Sequence, residues 1–145
     1  MFGYLERIPH AESIVIYDQG KAICFDRRHK VFAELQQAWS ETTEQAFPMP
    51  AFGVSFDRLT REEMKNGLWL EFVFPQVQCG EESLPFEKLL IGVRPEYHGF
   101  NLVRFYDGGY NGRCFYLDLR ERTMQPLYRA LETVLQRERP DGQND

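Results

Sequence analysis

The chain has 145 residues, a formal net charge of −5 and a pI near 5.3, with 43% hydrophobic, 14% aromatic and 27% charged residues. That length suits one domain and lets about 68–70% of the unfolded surface be buried, so a core can form without disulfides. The acidic balance argues against nucleic acid and anionic membranes as partners, because long-range electrostatics oppose both approaches.

Cys24, Cys79 and Cys114 stand singly with no C-x-x-C pair, which speaks against a disulfide framework and a structural zinc site. No cofactor and no metal are therefore expected. Glu6, Arg7 and Pro9 interrupt the apolar run that a secretory leader would need, and no stretch approaches 18 apolar residues. The expectation is a cytoplasmic protein with no membrane partner.

In chain order, the runs 13–17 and 21–25 flank Asp18-Gln19-Gly20 and predict a hairpin. Asp26 offers a capping carboxylate, and Val31, Phe32, Leu35, Ala38 and Trp39 recur on one helical face, which predicts a helix over 27–44. Pro48 and Pro50 make 47–51 a stiff linker, and 51–56 reads as a short strand. Leu59, Thr60, Glu63 and Met64 fit a capping box with its hydrophobic staple, which predicts a single helical turn over 61–65 closed by Asn66 and Gly67.

From 67 to 119 four runs rich in aromatic and branched residues follow one another without room for a helix, at 68–74, 86–93, 100–106 and 113–119. In the first, Leu68, Leu70, Phe72 and Phe74 make an apolar face, and Trp69, Glu71 and Val73 make a half-apolar one. Pro75 should end that run, with 76–84 a solvated turn. The second run carries Leu89, Leu90, Ile91 and Val93 on both faces, as in a central strand, and Gly92 suggests a bulge.

An even-length loop over 107–112 pairs Phe100 with Leu119, Leu102 with Leu117 and Arg104 with Phe115; a one-residue slip would set Asn101 against the leucines. Arg104, Tyr106 and Arg113 then share one face at the tip, and Phe105, Cys114 and Tyr116 the other. A final helix begins near Thr123, tolerates Pro126 in its first turn and carries the stripe Leu127, Tyr128, Leu131, Val134 and Leu135.

The fold class is α+β: an antiparallel sheet of five to seven strands, made of a consecutive four-strand meander plus N-terminal strands and packed with two long helices and one short one. Residues 1–136 form one domain, and 137–145 form a flexible tail.

None of His10, His29 and His98 has a metal-ligand partner at motif spacing, and Asp107 and Asp118 do not read as a paired acid and base. No catalytic residue is expected. The first functional reading is a non-catalytic binding domain that engages a protein partner, or itself, through an aromatic sheet face. The alternative is a domain that binds or acts on a small anionic ligand held by Arg94, Arg104 and Arg113, with Tyr106 and Tyr110 beside them, at or near the glycine-rich loop 107–112.

Overall fold

Alternating apolar residues give each run a buried side, and in the computed structural model, which describes residues 3–138, these sides assemble into one seven-stranded antiparallel sheet. The chain order is α1 (Tyr4–Arg7), a 3-10 turn (Ile8–His10), β1 (Ser13–Asp18), β2 (Lys21–Asp26), α2 (Lys30–Thr42), β3 (Phe47–Ser55) and α3 (Asp57–Glu63). It continues through β4 (Leu68–Cys79), a second 3-10 turn (Glu81–Ser83), β5 (Pro85–Gly92), β6 (Gly99–Phe105), β7 (Gly112–Asp118) and α4 (Gln125–Glu138). The strand order is β2-β1-β4-β5-β6-β7-β3, so the expected four-strand meander lies unbroken in the middle. The N-terminal hairpin extends it on one side, and β3 closes the other.

One face carries the main core. Ile14, Ile16, Leu70, Phe72, Leu89, Ile91, Leu102 and Leu117 lie there beneath α2 and α4, which also pack on each other. Trp39 of α2 meets the rings of Phe72 and Phe100 edge-on at 5.1 and 5.9 Å, and Tyr4 stacks on Phe115 at 4.6 Å. Among the described residues, no helix is long and apolar enough to cross a membrane.

Several local expectations change. The stretch 47–51 is no linker but the start of β3, an edge strand in register with β7 from Phe47↔Asp118 onward. Prolines two positions apart direct their missing donors to the same side of a strand, and only a free edge can lack them. The register shifts between Met49 and Gly53, and the Ala51 N–H within this bulge donates to the Glu82 carboxylate at 3.0 Å.

The capping box also gives way. α3 starts at Asp57, which places Thr60 inside the helix, buried, and leaves Leu59 exposed. Pro75 does not end β4: the strand runs to Cys79 through a register shift between Val73 and Gln78, where a proline is tolerated. α2 is shorter than expected and is capped by His29, whose Nδ1 accepts from the Val31 N–H at 3.0 Å, while Asp26 accepts from Arg28 instead.

The last hairpin keeps the expected faces but pairs two residues away from the expected register, with Phe100↔Leu117 and Leu102↔Phe115. A shift of two preserves every side chain's face. The difference arises because Asp107 and Gly108, at φ +53° and +84°, form a tight turn closed by mutual Tyr106–Gly109 hydrogen bonds. Arg137 and Glu138, expected in the tail, belong to α4, and Arg137 pairs with Glu34 of α2. The rest of the expected tail lies outside the described residues.

Candidate functional site

The sheet's other face is where polar chemistry collects, and it begins with one charged residue in a central strand. Glu71 lies between Val15 of β1 and Leu90 of β5 and is fully buried. A buried carboxylate is costly unless its oxygens are hydrogen-bonded. Both are: Tyr17 Oη donates to Oε1 at 2.8 Å, and Tyr110 Oη donates to Oε2 at 2.6 Å. Burial first, and then the neighbouring Glu71 charge, push both tyrosine hydroxyls far above their ordinary pKa, so they remain donors.

Tyr110 reaches Glu71 because α3 and the β6–β7 loop close together over this face. Asp57 Oδ1 accepts from the Tyr110 N–H at 2.9 Å, and the Asp57 N–H donates to Asn111 Oδ1 at 3.0 Å. The Arg61 Nε–H donates to both Asp57 oxygens at 2.9 Å, and its guanidinium lies over the Tyr110 ring at 5.3 Å. The hydrogen bond from Arg61, followed by that from the Tyr110 backbone, lowers the Asp57 pKa. The cluster ties three parts of the chain together and leaves Glu71 no free oxygen.

Next to this latch a groove of about 1150 Å³ runs along the end of the sheet. Two aromatic rings wall it, and each is seated on a glycine. Trp69 faces Gly92 in register, and a Cβ at Gly92 would come within 3.2 Å of the indole ring. The indole N–H donates to the Asn66 carbonyl at 2.7 Å, which fixes the ring's position. A Cβ at Gly99 would overlap Tyr116 Oη, so that ring too depends on a bare backbone. Gly92 is therefore not a bulge but a close approach. Thr60 of α3 lines one side, and Tyr128 and Glu132 of α4 line the far end.

The sequence-predicted ligand residues do not gather. Arg94 lines the groove, its guanidinium 5.8 Å from the Tyr97 ring. Arg104 is buried on the core face and donates to the carbonyls of Arg113 and Pro85, each at 2.7 Å. Arg113 pairs with Glu82 at 2.8 Å. Neither lines the groove, and five residues of strand separate the level of Arg104, opposite Leu89, from Arg94, which is about 16 Å. Tyr106 is exposed, and Tyr110 is buried against Glu71. In the glycine-rich loop, the N–H groups of Tyr106, Asp107, Gly109 and Tyr110 already have acceptors.

Glu71 and the Trp69–Gly92 and Tyr116–Gly99 seats were missed. The signal for Glu71 was its place between Trp69 and Val73 on a strand flanked by strands on both sides. Cys114 is buried with its thiol pKa raised, chiefly by desolvation, and no group of three or more His, Cys, Asp or Glu among the described residues could hold a metal. Comparison of the chain with protein-family models, with curated proteins and with solved structures returns no match.

Proposed function

We propose that this protein is a non-catalytic binding domain that takes an extended segment of a partner protein in the groove along the end of its sheet. The observation that carries this reading is the pair of rings, Trp69 and Tyr116, held on Gly92 and Gly99 before any partner arrives. Rigid aromatic walls provide contact area with little ordering cost on binding.

Size favours a segment over a compact metabolite. Small-molecule pockets occupy roughly 300–1,000 Å³, whereas this groove is larger at about 1150 Å³. Its lining comes from β1, β4, β5, β6 and β7. Four inter-strand spacings of about 4.8 Å give about 19 Å, the length of roughly six extended residues.

Selection from a random peptide library on the wild-type protein, repeated on Trp69→Ala, tests the reading. Peptides enriched on the wild type should lose binding to a Trp69→Ala protein that still unfolds cooperatively. Enriched peptides that bind the variant equally well, or an absence of enriched peptides, would count against the groove.

A further inference from the structure

We infer that the segment held in this groove is basic, with lysine or arginine side chains set among Glu63, Glu96 and Glu132 and against the Trp69 ring. The inference rests on the binding reading above and adds the chemistry of the partner. It stands on two independent features of the groove, the charge of its lining and the aromatic walls.

The lining contains four carboxylates, Asp18, Glu63, Glu96 and Glu132, against the single guanidinium of Arg94. Among the described residues Glu63, Glu96 and Glu132 take part in no ion pair, so their charge faces the groove without a basic side chain paired to it. Glu96 and Glu132 both line the groove. Glu132 first, and Glu96 to a lesser degree, raise the pKa of the Tyr128 hydroxyl that lines the groove beside them. Carboxylates that line one groove repel each other, and an incoming cation relieves that repulsion.

The walls point the same way. An ammonium or guanidinium group is attracted to the face of an aromatic ring, most strongly to tryptophan. Trp69 rests on Gly92 and is fixed by its bond to Asn66, so a ring already in place meets the guest. Among the described residues that line the groove Arg94 is the one competing cation, and it lies over Tyr97. An acidic segment would instead bring like charges together across the groove, an arrangement interfaces avoid.

The test uses three fluorescent peptides of matched length and aromatic content that carry Lys/Arg, Gln or Glu at the same two positions. Anisotropy titrations are run on wild type, Trp69→Ala, Glu96→Gln/Glu132→Gln and Glu96→Arg/Glu132→Arg, each first shown to unfold cooperatively. The basic peptide should bind wild type at least about tenfold more tightly than the acidic one. That preference should shrink with added salt and in the glutamine pair, and reverse in the arginine pair. Neutral or acidic peptides that bind as tightly as the basic one, and still depend on Trp69, would overturn the charge inference and leave the groove as a binding site. If no peptide of any charge binds in a Trp69-dependent way, the binding reading itself fails, and the charge inference with it.

Discussion

Replacing Tyr110 with Phe removes a single oxygen from the sheet's second face, and the structure dictates what that oxygen is worth. Its hydroxyl is buried and donates to Glu71 Oε2 at 2.6 Å, so its loss strands a carboxylate oxygen that water does not reach. Hydrogen bonds to charged groups contribute about 1.5 to 3 kcal/mol, and Tyr110→Phe should destabilise the protein by that much. Tyr17→Phe should cost less, about 0.5 to 1.5 kcal/mol, because Tyr17 is half-exposed and water can replace its donor.

The decisive comparison is made in a Glu71→Val background, where the carboxylate is gone and valine sits between Val15 and Leu90. There the Tyr110 hydroxyl has lost its buried carboxylate acceptor, and Tyr110→Phe should be neutral or stabilising. Urea unfolding of the four proteins at neutral pH, fitted with a shared m-value, gives the coupling energy. A Tyr110→Phe cost that is the same with and without Glu71 would refute the latch.

Arg104→Ala should cost about 2 to 4 kcal/mol because the buried guanidinium's packing and its charged bonds to two part-buried carbonyls are lost, while Arg94→Ala should stay within about 0.5 kcal/mol; urea midpoints of the two variants check the contrast. The buried Tyr4 hydroxyl has no partner among the described residues, so Tyr4→Phe should leave stability unchanged or raise it by up to about 1 kcal/mol by the same assay. Alkaline pH should weaken the fold. Burial, reinforced by Glu81 for Tyr4 and by Glu71 for Tyr17 and Tyr110, keeps these tyrosines protonated above their ordinary value near 10. The unfolded chain loses those protons first, so their contribution is complete below about pH 10 and is lost as pH rises beyond it. Midpoints measured from about pH 9 to 11 should fall, and fall less steeply in Tyr110→Phe.

The meander, the first hairpin and the two long helices were legible because each is a run of one hydrophobic period bounded by breakers. Where breakers carried the argument alone it failed: Pro48 and Pro50 mark a sheet edge, and Pro75 marks a bulge, and only the strand order distinguishes those from an end. Thr60 and Glu63 had the spacing of a capping box, yet α3 begins four residues earlier than that box implies, where Asp57 meets the Tyr110 backbone and the Asn111 side chain from across the fold.

The site was less legible for the same reason. Arginines on strands suggested anion binding, but a guanidinium satisfies backbone carbonyls equally well, as Arg104 does. The groove depends on Trp69 meeting Gly92 and Tyr116 meeting Gly99, contacts made across strands and between residues 23 and 17 apart in the chain. Tyr110 was singled out as a ligand residue and belongs instead to the latch beside the groove.

The binding groove is tested most directly by the two tryptophan indole N–H resonances, because Trp69 lines the groove and Trp39 lies in the core against Phe72 and Phe100. Titration with a basic peptide selected on the wild-type protein should shift the Trp69 signal in a saturable way and leave Trp39 in place. A peptide that binds while the Trp69 signal stays still, or that moves both tryptophans alike, would contradict the assignment of this groove as the binding site.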